Sequence, residues 1–298
     1  MTAAVRRRGT DRRFVTSDGT ALHVDLSGPR DAAVTLVLLH AWTQDHLEWD
    51  PVLPLLPTGV RVLRYDHRGH GRADPARPGT ATVAQLADDL AELVTELAPA
   101  GRLALAGHSM GGMTVMALAE RHPELVAGRV GGVAFIATSC NDLDRLTLGL
   151  TGAAGRAAMR ADKALGRMLT RYDKDSVPVP ASLARPAIKW LAFGQGGAGR
   201  ADVRAMTAQF LRAHPRSMGG FRDSMSGHDR RMALKTLRGT PAVVMAGERD
   251  RITPVHHARV IAEELPDAEF VLFPGAGHEL TYERTREVAA RLSRLTRP

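Results

Sequence analysis

Hydrophobic and polar positions along the chain change period again and again. Val34–Leu39 is a continuous apolar run, as a strand covered on both faces should be, and Val60–Tyr65 reads as another. Arg12–Thr16 and Ala21–Leu26 flank Ser17-Asp18-Gly19-Thr20, whose Asp-Gly signals a hairpin. Over Thr82–Ala98 the period lengthens: Val83, Leu86, Leu90, Leu93, Val94 and Leu97 recur at helical spacing, with hydroxyls at Thr80 and Thr82 to cap the start and Pro99 after the end. Further strands are predicted at Arg102–Ala106, Val130–Ala137, Pro241–Ala246 and Ala268–Phe273. Helices are predicted at Met110–Arg121, His256–Leu265 and Thr281–Leu295. Strands separated by helices imply an α/β fold, a mostly parallel sheet with helices on both faces.

The alternation stops between about Ser139 and Lys235. That stretch is rich in Ala, Arg and Met and poor in strand signals, so it reads as an inserted helical segment, and its Phe193–Gly199 run is flexible enough to be a hinge. The expected organisation is a disordered basic tail over 1–11, a core over 12–138 and 236–298, and a helical cap over 139–235.

Composition changes this picture at few points. With 298 residues, 44% of them hydrophobic, the chain can bury a sizeable core. No apolar run is long enough to span a membrane, and no apolar stretch follows the basic start, so neither a membrane span nor a secretory signal is expected and the predicted location is cytoplasmic. One cysteine, Cys140, excludes an internal disulfide, and no His or Cys spacing suggests a metal site. The net charge of +8 is concentrated: segment 139–235 holds 17 Lys and Arg against eight Asp and Glu. Lysine occurs only at Lys163, Lys174, Lys189 and Lys235, so the basic bias is an arginine bias. No aromatic-rich motif accompanies it, and nucleic acid is not expected as a partner. An acidic partner such as a phosphopantetheine carrier protein would suit a basic cap. An Arg-rich solvated face is the plainer alternative. Six of the 11 methionines fall in the same segment, which suits an adaptable apolar pocket as well as ordinary core packing.

The chemistry is read from four loops. Gly107-His108-Ser109-Met110-Gly111 fits G-x-S-x-G between a predicted strand and a predicted helix. A turn that tight holds the Ser109 hydroxyl above the sheet, over a helix N-terminus that favours developing negative charge. On these residues the sequence resembles the α/β-hydrolase family, in particular its capped esterase, lipase and haloperoxidase-like branch, over roughly residues 12–296. The resemblance implies an eight-stranded, mostly parallel sheet with an inserted cap and no cofactor or metal.

It also implies roles. Gly247-Glu248-Arg249-Asp250, four residues before Pro254, places the acid at Asp250, with Glu248 the weaker candidate. Gly275-Ala276-Gly277-His278 places the base at His278, in the order Ser, Asp, His. His40-Ala41-Trp42 occupies the loop that contributes an oxyanion donor, so the backbone N–H groups of Trp42 and Met110 are the expected hole. Ala41 stands where the family usually has Gly, which puts the shape of the hole in question. Asp66-His67-Arg68-Gly69-His70-Gly71 resembles the family's structural loop, with Asp66 and Arg68 as ties and His67 and His70 as loop residues. His40 is expected to be structural and Trp49 a packing residue.

The activity implied is cleavage of a carboxylic ester of a hydrophobic acyl or alkyl substrate, a small-molecule ester or thioester, through an acyl-enzyme on Ser109. A carrier-protein thioesterase or lactone-forming acyltransferase shares the nucleophile. A cofactor-free lyase or perhydrolase shares the fold, as would a non-catalytic receptor. Sequence does not choose the acyl chain or the oligomeric state.

Overall fold

A computed structural model describes residues 9–143, 150, 152–172, 174–177, 179–195 and 199–297. In chain order the main elements are β1 (Thr10–Val15), β2 (Ala21–Ser27), β3 (Val34–Leu39), a 3₁₀ turn (His46–Trp49), β4 (Arg61–Tyr65), α1 (Val83–Leu97), β5 (Arg102–His108), α2 (Met110–Arg121), α3 (Pro123–Arg129) and β6 (Val130–Ile136). The inserted helices follow: α4 (Gly152–Arg171), α5 (Ala181–Ala192), α6 (Arg200–Arg212) and α7 (Pro215–Ser226). After a 3₁₀ turn (Met232–Leu237) come β7 (Ala242–Gly247), α8 (Val255–Glu264), β8 (Glu269–Phe273), α9 (Leu280–Glu283) and α10 (Thr285–Leu295).

The eight strands form one sheet in the order β1-β2-β4-β3-β5-β6-β7-β8, antiparallel at β1/β2 and β2/β4 and parallel elsewhere. The expected α/β architecture is present. Strand periodicity explains why both faces are covered: Val37 and Leu39 of β3 enter the core with α1 and α2, while Leu36 and Leu38 enter the opposite core with Trp49 and α10. Each such leucine contributes about 1.5–3 kcal/mol by burial. Thr82 caps α1 by accepting the Gln85 N–H, as its sequence promised.

The boundaries carry corrections. The tail expected over 1–11 overlaps β1, which starts at Thr10, where Asp11 reaches Arg72; residues 1–8 lie outside the described residues. The helix predicted over Thr281–Leu295 divides at Arg284, whose backbone leaves the helical region (φ −135°, ψ 39°), while the Thr285 hydroxyl donates to the carbonyls of Thr281 and Tyr282 and closes α9. Apolar periodicity does not reveal α3, because only Val126 of it is buried.

The hinge expected at Phe193–Gly199 is pinned where it can be described. A Cβ on Gly194 would lie 2.1 Å from the Gly275 carbonyl, and the Gln195 N–H donates to that oxygen. Residues 196–198 lie outside the described set. The methionines divide too: Met206, Met218 and Met225 are buried, whereas Met168 and Met232 are exposed.

Candidate functional site

β5 delivers the chain into a sharp elbow. Ser109 has φ 52° and ψ −115°, a conformation that costs a non-glycine residue roughly 1–3 kcal/mol. The surroundings hold it there. The Ser109 N–H donates to the Ile136 carbonyl, and the Ser109 carbonyl accepts from the Thr138 hydroxyl at 2.6 Å. The flanking glycines are required by space: a Cβ on Gly107 would lie 2.4 Å from the Gly111 backbone, and one on Gly111 would lie 2.3 Å from the Leu39 carbonyl. α2 begins directly after the serine; the Gly112 and Met113 N–H groups donate to the Ser109 carbonyl, while the first two N–H groups of the helix meet no acceptor among the described residues. Met110 carries the first of them.

β7 and β8 supply the other two groups. Asp250 Oδ2 lies 2.8 Å from His278 Nδ1. The carboxylate also accepts the N–H groups of Ile252 and Thr253 and the Thr253 hydroxyl, each at 2.8 Å. Burial alone would raise the Asp250 pKa, but the charge and hydrogen bond of His278, with the Thr253 donors, hold it below the ordinary carboxylate value. Three donors fix the carboxylate, and the carboxylate fixes the imidazole tautomer with Nδ1 as donor. Glu248, the weaker candidate acid, is exposed and accepts the Gly275 N–H, away from His278.

The loop after β3 shows how the backbone accommodates Ala41. The residue that takes a positive φ here is Thr43 (69°), and Ala41 keeps an ordinary backbone that needs no glycine. The Ala41 N–H donates to Glu48 Oε2 at 2.8 Å, and its carbonyl accepts from Gln44 N and His40 Nδ1. The Trp42 N–H meets no acceptor among the described residues, and the Trp42 indole donates to the Met218 carbonyl on α7. His40 Nε2 accepts the His67 N–H, so His40 is a fully satisfied structural histidine, kept neutral by burial. Trp49 is fully buried in the core beneath.

A buried polar ring joins these loops, and the sequence patterns did not mark it. Glu48 Oε1 lies 2.6 Å from His108 Nδ1, and His108 Nε2 lies 3.0 Å from the His278 carbonyl oxygen. The rings of His108 and His278 are 4.9 Å apart. Next along the chain, Glu279 is met by Gln44 Nε2 at 3.0 Å. Glu48, His108 and Glu279 are all solvent-inaccessible. Burial would depress His108, but the Glu48 charge and hydrogen bond push it up to about 9. Burial lifts Glu279 to about 7 against the pull of His108. The one signal in sequence was adjacency: His108 precedes Ser109, and Glu279 follows His278.

The structural loop behaves as expected. Arg68 is fully buried, chelated by Asp89 at 2.7 and 2.5 Å and by Asp18 at 2.7 Å. Asp66 accepts the backbone N–H and the Nδ1 of His46, both at 2.7 Å, and the Arg72 N–H. Burial would raise Asp66, yet these His46 contacts hold it at about 2. His23, His46 and Asp66 place ligand-type atoms within 4.8 Å of one another. Asp66 spends both oxygens on the loop, so the group reads as a tie. His67 and His70 are buried beside His40. A second Ser–His contact, Ser139 with His257 Nδ1 at 2.8 Å, differs in kind: the Ser139 hydroxyl donates to the Asn141 carbonyl at 2.5 Å, leaving His257 to donate to it.

The inserted segment touches these loops. The His278 N–H donates to the Ala192 carbonyl at the end of α5, Arg212 of α6 pairs with Asp45, and Gln209 bonds Asp45 N and the Tyr282 hydroxyl. Ser109, Asp250 and His278 are 6%, 5% and 3% exposed. Surface clefts of about 310 and 610 Å³ lie elsewhere, beside β1 and β2 and between β1 and α1, and contain none of the three. No described helix is long and apolar enough to cross a membrane.

Comparison with known proteins follows the same lines. The sequence profile described as the alpha/beta hydrolase fold matches residues 34–285. A pimeloyl-[acyl-carrier protein] methyl ester esterase from Aromatoleum aromaticum is 28% identical over 251 residues, covering 82% of this chain and 90% of that one. Among solved structures, a hydrolase from Pseudomonas aeruginosa superposes with a TM-score of 0.76 at 25% identity, covering 96% of this chain and 98% of its own. An esterase from Thermogutta terrifontis superposes with a TM-score of 0.76 at 21% identity, covering 97% of this chain and all of its own, a likeness of fold.

Proposed function

The chain belongs to the α/β-hydrolase family, and from that premise we propose that it is a serine hydrolase cleaving a carboxylic ester of a hydrophobic acyl or alkyl substrate. The observation that carries the reading is the strained Ser109 at the start of α2, combined with an imidazole–carboxylate pair at 2.8 Å on the neighbouring loops. In this reading His278 takes the Ser109 proton as the oxygen attacks the ester carbonyl, and Asp250 stabilises the imidazolium. The N–H groups of Trp42 and Met110 receive the oxyanion. The alcohol leaves with the proton from His278. Water, activated by the same imidazole, then releases the acid. Helices α5, α6 and α7 act as a cap that must part to admit substrate, since no more than 6% of any of the three residues is otherwise exposed.

The test is exposure to a fluorophosphonate with mass spectrometry, then turnover on p-nitrophenyl esters of graded chain length. The expected result is a single adduct on Ser109 that requires His278. A folded protein that takes no label would sink the reading.

A second reading, an acyl group presented on an acidic carrier protein, is favoured by α4. Its Arg156, Arg160, Lys163, Arg167 and Arg171 are all exposed and lie within roughly 80° of arc on an ideal helix. Among the described residues none of the five has an ion-pair partner. The only acid of the helix, Asp162, faces inward to Arg222. A relative named for a carrier-protein ester suits that partner, and turnover of carrier-bound far above free esters would select it.

A further inference from the structure

His108 contacts only acceptors. Its Nδ1 faces the Glu48 carboxylate at 2.6 Å and its Nε2 faces the His278 backbone carbonyl at 3.0 Å. A neutral imidazole has one donor and one acceptor nitrogen, so with an ionised Glu48 it satisfies only one of these contacts. The doubly protonated ring satisfies both, and it places the cation against the carboxylate, as a buried charge requires. Each partner is tied to a loop of the proposed site. Glu48 Oε2 holds the Ala41 N–H, one residue before Trp42. The His278 carbonyl belongs to the base itself. The ring of contacts closes through Gln44 of the first loop and Glu279 of the second.

We propose that His108, held as an imidazolium between Glu48 and the His278 carbonyl, is the positioning residue that clamps the Trp42 loop and the His278 loop to the nucleophile elbow, so that the site loosens when this ring loses its proton. The inference rests on the serine-hydrolase reading for its effect on rate, but not for the state of the ring. His108 touches no reacting atom. It fixes the Trp42 N–H and the His278 imidazole relative to Ser109, and a displacement of about 1 Å in such an arrangement costs on the order of 100-fold in rate.

The groups facing His108 are Glu48 from the 3₁₀ turn and His278 and Glu279 from the loop after β8, with Tyr282 of α9 behind Glu279. Glu48 is the group whose charge the ring answers, and its hydrogen bond and charge push His108 up to about 9. Glu48→Gln separates clamp from charge. The amide oxygen can still accept the Ala41 N–H, while the amide nitrogen donates to a neutral His108 that keeps its Nε2–H on the His278 carbonyl.

The experiment has two readouts on the full chain. The first is long-range proton–nitrogen NMR of histidine-labelled protein at pH 7. Two protonated nitrogens on His108, reduced to one in E48Q, are expected, and one in the wild type would overturn the proposal. The second is the rate of fluorophosphonate labelling at Ser109 from pH 6 to 10. Wild type should lose rate as pH rises through about 9, E48Q should lack that limb, and H108Q should label about 100-fold more slowly at pH 7. A limb near pH 9 that survives in E48Q refutes the clamp. If wild type takes no label at any pH, the hydrolase reading fails, while the ring signals still decide whether His108 is the doubly protonated tie.

Discussion

Beneath the candidate site, charge in the sheet region is taken inside and closed into pairs; along the outer face of α4 it is left outside and alone. Arg68 disappears between Asp89 and Asp18, Asp66 is spent on His46, and Glu48 on His108. On α4, five cations face water without a partner among the described residues. A buried, fully bonded pair is costly to break and so fixes geometry, whereas an exposed cation fixes little and remains available for recognition. The difference assigns the precision of the proposed chemistry to the sheet region and leaves selection of what approaches it to the segment above.

The sharpest way to break that comparison is to remove the proposed nucleophile. S109A deletes one oxygen from an elbow held by backbone contacts and by Thr138. Ester turnover should fall by at least about 10⁴-fold, with a melting temperature like that of wild type. If full turnover persists, the chemistry lies elsewhere. D250N should cost roughly 10⁴-fold, because the amide can present its nitrogen to His278 Nδ1 and reverse the tautomer. A D250N loss under tenfold would mean that the Thr253 hydroxyl, 3.3 Å from the same nitrogen, orients the base sufficiently by itself.

The triad candidates were legible because each follows the end of an apolar strand, and strand ends are where a parallel sheet concentrates its loops. Local pattern carries that much. It does not carry the clamp, because Glu48 and His108 lie 60 residues apart and His108 and the His278 carbonyl 170 apart. Only the fold makes them neighbours. The Ala41 question had the same limit: the positive φ of the loop falls two residues later, at Thr43, and no motif announces which residue will take it. The division of the last helix falls at Arg284, where the backbone leaves the helical region and the neighbouring Thr285 hydroxyl reaches back to two carbonyls. The inserted segment was readable as helical, but which of its methionines face inward was not.

Stability offers the next contrast, and it falls within the inserted segment itself. Phe221 of α7 is fully buried in the same core as α1 and lies 5.5 Å from the His70 ring. Leu183 of α5 is 69% exposed. F221A should cost about 3–5 kcal/mol in urea unfolding, and L183A no more than about 0.5 kcal/mol. Equal effects would mean that α7 is no better anchored than α5.

The Asp66 tie has an acid signature. Its folded pKa, about 2, lies below the ordinary carboxylate value, so its contribution is complete above that ordinary value and disappears as pH falls through the folded one. That shift corresponds to about 2 kcal/mol. The stability difference between wild type and D66N should therefore shrink as pH falls from about 4 toward 2. A difference that stays constant over this range would show that the carboxylate charge is not what holds the loop.

The smallest expected effect tests the outer face. The α4 stripe spans roughly 22 Å from Arg156 to Arg171. Exposed ion pairs contribute roughly 0.2–1 kcal/mol each, so replacing Arg160, Lys163 and Arg167 together by Gln should lower kcat/KM on a carrier-bound acyl substrate by about tenfold. Turnover of a p-nitrophenyl ester should be untouched, because these side chains point away from the core. Salt distinguishes recognition from damage. At about 0.5 M ionic strength the screening length shortens, and the wild-type advantage on the carrier-bound substrate should disappear. If both substrates lose rate equally, or the carrier-bound one loses none, the stripe is a solvated face with no part in recognition.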